Sequence, residues 1–290
     1  MPQNIVVESR KGATWIRLNR PERLNSFDAE MADEIRSAID DARESAAIVL
    51  TGEGRAFCAG GYLASLAATD TRELRKLFRA CLALLDSIRM SPRPVIAAVN
   101  GAAAGGGNEI VIACDFAIAA ESATLGQTGP KVGSSPVFGG ANLLSLSVGE
   151  KRAKEISMLC RRYPAATALE YGWVNAVVPD AELEAEVDRW VEEISRMSPR
   201  FLEITKMSSN VWWNQLRDNY LQGMGQLIQS IGSFDQREGS QAFMERRAPE
   251  WEPLFGHDLD DLDNLNAGMP APHDDASDGT QEGSFVKEGK

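Results

Sequence analysis

The stretch Asn100–Ala120, NGAAAGGGNEIVIACDFAIAA, constrains the fold more than any other part of the chain. It follows PVIAAV (94–99), which reads as a buried strand, and it opens on three adjacent glycines, Gly105, Gly106 and Gly107. An apolar run with Glu109 near its start comes next, and a second strand begins from Asp115. Glycine lets a backbone approach a ligand closely, and N–H groups at a helix start point outward without intrahelical partners. Donors of that kind suit an oxygen that gains negative charge during a reaction. The rest of the chain reads as a pocket built around this strand–glycine–helix junction.

The flanking segments alternate strand and helix patterns, which defines an α/β (α+β) class. IVVESR and ATWIRLNR are two early strands with a turn at Lys11-Gly12. A helix is expected from about Asp28 to Arg43, with Met31, Ile35 and Ile39 on one face, then a buried strand at 46–52 leading into the loop EGRAFCAGGYL. Thr71 is a candidate cap for a helix reaching about Arg89. A long loop spans 126–140, followed by helical patterns at about 141–147, 149–160 and 165–171 and a short strand, WVNAVV. Two or three helices are expected between 180 and 245, with Trp212 and Trp213 packing against other helices. The domain reading is a core over 1–195, a helical region over 196–253, and an acidic tail over 254–290 that is disordered beyond about 265.

Several function classes are excluded by what the body of the chain lacks. Both histidines, His257 and His273, fall in the tail, so no Ser-His-Asp or Cys-His site fits the body and no His-ligated metal is supported. Cys58, Cys81, Cys114 and Cys160 are scattered without metal or redox spacing and read as reduced thiols. The net charge of −12 argues against a nucleic-acid partner, and the tail from Leu254 carries −7 of it. No apolar run approaches the roughly 20 residues of a membrane helix. The N-terminal MPQNIVVESR lacks a signal-peptide core, so a cytoplasmic location away from membranes is expected.

Five separated segments occur in one order: NRPERLN, LTGEGRAFCAGG, PVIAAVNGAAAGGGNEIVIACDFAIAA, LGQTGPKVG and ALEYGWVNAVVP. Together they resemble the crotonase (enoyl-CoA hydratase/isomerase) superfamily over roughly residues 4–250. GQTGPKVGS and the run from Glu150 to Pro179 look most like 1,4-dihydroxy-2-naphthoyl-CoA synthase and its ring-opening ketocyclohexanecarboxyl-CoA hydrolase relatives. The resemblance implies a spiral of ββα units, a helical C-terminal trimerisation region, and trimers that often pair into hexamers. It also implies an acyl-CoA thioester substrate, with coenzyme A as part of that substrate, and neither a metal nor a resident cofactor.

Residue by residue, the resemblance makes Gly61 and Gly106 the two backbone donors of an oxyanion hole. Glu109 matches one of the two catalytic glutamates of enoyl-CoA hydratases; complementing the helix N-terminus is the alternative reading. The second hydratase glutamate would fall at Gly129, where no acid stands. In the synthase branch a bicarbonate can occupy this space beside Gln127 and Thr128, and a polar turn without a ligand is the competing reading. The acid of the synthase pattern is replaced where the chain reads Ser134-Ser135-Pro136, which leaves Ser134 a candidate for positioning substrate, with an ordinary loop serine as the favoured alternative. Arg23 and Leu24 match the segment that contacts the nucleotide of coenzyme A, a solvated surface arginine being the alternative for Arg23. Ala59 is a further substrate-binding candidate, and Tyr62, directly after Gly61, either lines the acyl pocket or is a partly exposed aromatic. Water addition to a 2-enoyl-CoA is the leading expectation. Carbon–carbon ring closure or ring opening is the enzymatic rival, and a non-catalytic acyl-CoA-binding protein is the rival from another class.

Overall fold

The computed structural model describes residues 4–61 and 71–251. Tyr62 and the acidic tail lie outside the described residues.

Lys11 and Gly12 both take positive φ, 48° and 86°, the conformation a two-residue hairpin turn needs. β1 (Ile5–Arg10) therefore folds back antiparallel on β2 (Ala13–Leu18). Asp28 then caps α1 (Ala29–Asp41), its side chain accepting the Met31 N–H at 3.0 Å. Met31, Ala32, Ile35 and Ile39 bury one face of that helix. β3 (Ala47–Gly52) is buried along its whole length and runs parallel to β2. A three-residue strand, β4 (Ala56–Cys58), follows. α2 (Thr71–Met90) buries Leu74, Leu77, Phe78, Cys81, Leu85 and Ile88 at helical spacing.

β5 (Val95–Val99), the short β6 (Ala102–Ala104), α3 (Gly106–Ala113), β7 (Phe116–Ala120) and β8 (Thr124–Gly126) complete the central segment. Next come α4 (Leu144–Val148), α5 (Glu150–Leu159), β9 (Tyr163–Pro164), α6 (Ala165–Glu170) and β10 (Ala176–Val178). The larger sheet has the order β1-β2-β3-β5-β7-β10, parallel from β2 onward. The unbroken burial of β3 and β5 reflects cover on both faces of a parallel sheet. The smaller sheet has the order β4-β6-β8-β9. Chains of two or three residues are too short to show alternation, which is why only the larger sheet is readable in the sequence.

Among the described residues four α-helices follow β10, where two or three were expected: α7 (Leu183–Ser195), α8 (Pro199–Ser209), α9 (Val211–Gln229) and α10 (Phe234–Glu245). Lys206 anchors α8 to the core. Its ammonium is buried, pairs with Asp115 at 2.6 Å and donates to the carbonyls of Ile88 and Arg93 at 2.8 and 3.0 Å.

Three local expectations need correction. The WVNAVV strand shrinks to Ala176–Val178, because Trp173 N–H is taken by the Ala168 carbonyl at 2.8 Å in the turn after α6. The helix expected from 141 starts only at Leu144. Trp213 is buried and donates its indole N–H to Asp86 at 3.1 Å, but Trp212 is 52% exposed. Consecutive helical residues point about 100° apart, so the two rings cannot share one face.

Candidate active site

The smaller sheet assembles the site. β4 pairs parallel with β6 (Ala56↔Ala102, Cys58↔Ala103), and β6 pairs parallel with β8 (Ala103↔Leu125, Ala104↔Gly126). Three parallel strands thus end side by side, delivering Ala59–Gly61, Gly105–Gly107 and Gln127–Gly129 to one place. Crevices at the carboxyl ends of parallel strands are where such folds bind ligands. The loops are tied together: Gly105 N–H donates to Gly126 O at 3.0 Å, Ala59 N–H to Leu24 O at 2.9 Å, and Phe27 N–H to Gly60 O at 2.9 Å. Asn25 secures the same corner, its amide reaching the carbonyls of Glu53 and Ala56 at 2.9 and 2.8 Å.

Close approach explains the glycines. Gly105 has φ 51°, and an added Cβ would lie 2.7 Å from Thr128 Oγ1. A Cβ on Gly106 would lie 2.9 Å from the Phe27 ring and 3.4 Å from Gly61 N, so the two glycine loops are in contact. A Cβ on Gly107 would run into the Cys58 carbonyl. Gly106 is the first residue of α3, and neither its N–H nor that of Gly61 has a backbone partner among the described residues. The Cys58 thiol next to this junction is pushed up to about 12 by burial, so it stays protonated and is no nucleophile at neutral pH.

Glu109 lies in the first turn of α3 and is only 4% exposed. Its Oε1 accepts the Gly140 N–H at 2.8 Å. Burial pushes its pKa up to about 8, against the opposing pull of the Gly140 and Phe138 amides. A carboxyl poised near neutrality can both accept and return a proton. Sequence reading missed Phe138 and Gly140 as its partners; the only sign of them was the glycine pair that ends the long loop.

Gln127 is 1% exposed, and neither its carboxamide oxygen nor its nitrogen has a partner among the described residues. It approaches Glu109 across Gly140. A Cβ on Gly140 would overlap the Gln127 nitrogen and lie 2.9 Å from Glu109 Oε1. Gly129 opens a 3-10 turn, Gly129–Val132, and its carbonyl accepts the Ser134 N–H at 2.9 Å. Ser134 itself lines a narrow cleft with Leu74, Phe78, Leu227 and Ile231, between α2 and the C-terminal helices. Arg23 ends a 3-10 turn, Pro21–Arg23, and Leu24 follows it in the left-handed conformation, bonded to Ala59. The fold therefore gathers Gly61, Gly106, Glu109, Gln127, Thr128 and Gly129. Arg23 and Leu24 stand at the rim beside Ala59, and Ser134 stands in the adjoining cleft.

A six-stranded sheet and a smaller four-stranded one that ends on adjoining glycine loops, followed by a helical C-terminal region, form the crotonase architecture. Residues 8–253 match the family model "Enoyl-CoA hydratase/isomerase". An enoyl-CoA hydratase of Mycobacterium avium subsp. paratuberculosis is 31% identical over 86% of this chain and 99% of its own, with a TM-score of 0.78. One from Bacillus anthracis is 35% identical over 86% of this chain and 98% of its own, with a TM-score of 0.70. An enoyl-CoA hydratase/isomerase of Mycobacterium paratuberculosis is 29% identical over 83% of this chain and 98% of its own, with a TM-score of 0.78. The chain belongs to the enoyl-CoA hydratase/isomerase family of the crotonase superfamily. Among the described residues no helix is long and apolar enough to cross a membrane.

Proposed function

We propose that this protein adds water to a 2-enoyl-CoA thioester through an enolate held by the Gly61 and Gly106 N–H groups. The observation that carries this reading is Glu109, a carboxyl buried at the glycine junction with its pKa raised to about 8. The thioester oxygen accepts from the two glycine amides. Ionised Glu109 takes a proton from water while the water oxygen bonds to C3, and the C2=C3 electron pair moves onto the thioester as an enolate. Glu109 then returns its proton to C2, leaving a 3-hydroxyacyl-CoA with one water added. The two amides oppose the charge that develops on oxygen, and each such donor contributes roughly 3 kcal/mol to lowering the barrier. Arg23, Leu24 and Ala59 form the rim over which coenzyme A would lie, and no resident cofactor enters these steps.

A second reading is supported by Gln127 and Thr128 beside Gly105, in the GQTGPKVGS loop of the ring-forming and ring-opening branch. There a bicarbonate would sit near the carboxamide. The presence of Glu109 and the Ser134-Ser135-Pro136 run, which supplies no acid, weigh towards hydration. Incubating the protein with crotonyl-CoA and with a cyclic β-keto acyl-CoA, and weighing the products by mass spectrometry, separates these readings. Hydration predicts gain of one water by the first substrate. Binding of both without change in either would leave the protein an acyl-CoA-binding protein.

We also propose a homotrimer, alone or paired into a hexamer. Phe201 and Ile204 on α8 and Trp212 on α9 expose large apolar side chains in the single chain, the kind of surface that subunit contacts cover.

A further inference from the structure

Given the hydration reading, on which this inference rests, we propose that Gln127 is the second holder of the water that Glu109 activates. The carboxamide and the carboxyl group grip one water molecule between them, on the face of Gly140. Three observations lead there. First, Gln127 is 1% exposed with both carboxamide atoms unpartnered among the described residues, a condition buried polar groups rarely keep in a folded protein. Second, Gln127 and Glu109 crowd the same side of Gly140, yet no direct hydrogen bond joins them. Two polar groups so placed suit a bridging water. Third, no side chain can supply the second partner from position 129. A Cβ on Gly129 would lie 2.9 Å from Ser135 Cα, 3.0 Å from Ser135 C and 3.1 Å from the Pro136 ring. The polar partner comes instead from Gln127, two residues earlier, at the end of β8.

The arrangement fits the chemistry. A water that gives one O–H to the Glu109 carboxylate and accepts from the Gln127 Nε2–H, the carboxamide atom nearest Gly140, keeps a second lone pair free for C3. A neutral carboxamide does this without a second negative charge beside Glu109. An anion in the same place would meet the Glu109 carboxylate as a like charge.

The test compares wild type, Gln127→Leu and Gln127→Glu in two reactions. One is hydration of crotonyl-CoA. The other is exchange of the C2 protons of butyryl-CoA with deuterated water, which needs the glycine amides and Glu109 but no water held for attack. The expected result is that Gln127→Leu loses roughly 10- to 100-fold in the kcat for hydration, with KM little changed, and keeps exchange within about 3-fold. Gln127→Glu, which can hold water but sets a second carboxylate beside Glu109, recovers only part of the loss, and more of it at lower pH, where the two carboxyl groups share a proton. Added bicarbonate leaves wild-type hydration unchanged. Equal loss of both reactions in Gln127→Leu would mark Gln127 as structural and overturn the proposal. So would undiminished hydration in that variant, or activation of wild type by bicarbonate. Exchange without any hydration by wild type would sink the hydration reading itself, and this assignment with it.

Discussion

Glu109 is a carboxyl group held out of water beside backbone donors, and that tension sets its behaviour. Its folded pKa of about 8 lies above the ordinary 4.5. In the proposed role of base it works only when ionised, so kcat/KM is expected to rise with pH through about 8. Stability runs the other way. Between those two values the folded chain holds a proton that the unfolded chain has released, so stability falls as pH rises. Glu109→Gln removes that slope and is expected to melt higher than wild type at pH 8.5, by about 2–4 °C for each kcal/mol recovered. Thermal melts at pH 5 and pH 8.5 check this; a larger gain at the lower pH would count against a buried neutral carboxyl. Gly140 offers an independent probe. Gly140→Ala places a methyl group against the movable ends of Gln127 and Glu109. Hydration is expected to fall roughly 10- to 100-fold through misplacement and the melting temperature to fall by several degrees through overpacking of a buried site, and steady-state kinetics beside a thermal melt read both.

The elements were unequally legible in the sequence. α1 and α2 declared themselves through apolar spacing, and β3, β5 and β7 through short buried runs bounded by turns. The smaller sheet did not, since β4, β6 and β8 have three residues each. Yet that sheet is what brings Gly61, Gly106 and Gln127 together. That Gly61, Gly106 and Glu109 are candidates to act together was readable from glycine chemistry and family motifs, whereas the partners of Glu109 were not. Phe138 and Gly140 meet it only through backbone N–H groups, which no side-chain pattern marks. The Trp212–Trp213 pair failed for a related reason: composition named the residue type, and only the helix rotation decided which ring is buried. At this scale Lys206 is the tie between α8 and the sheet. Lys206→Met takes the ammonium from two carbonyls and from the Asp115 carboxylate, which among the described residues keeps only the Val95 N–H at 2.8 Å. It is expected to cost about 3 kcal/mol, measured by denaturant unfolding. A loss below about 0.5 kcal/mol would show that the pair contributes nothing to the join.

On the scale of the whole molecule, the glycine junction proposed as an oxyanion hole and the Glu109 carboxyl proposed as proton carrier are held by one continuous core, with the helical C-terminal region packed against it. Exposed Phe201 and Ile204 belong to the proposed subunit contact. The double variant Phe201→Glu, Ile204→Glu is expected to shift a trimer or hexamer towards monomer in light scattering. Unchanged mass would place the contact elsewhere. The central claim, that one buried glutamate carries the proton for addition of water to a thioester, is tested most directly by following the conjugated absorbance of crotonyl-CoA. Wild type and Glu109→Gln are assayed side by side. Clear loss of absorbance with wild type, slowed roughly 10²- to 10⁴-fold in the variant, is the predicted result. Equal rates for the two proteins, or no turnover by wild type, would contradict it.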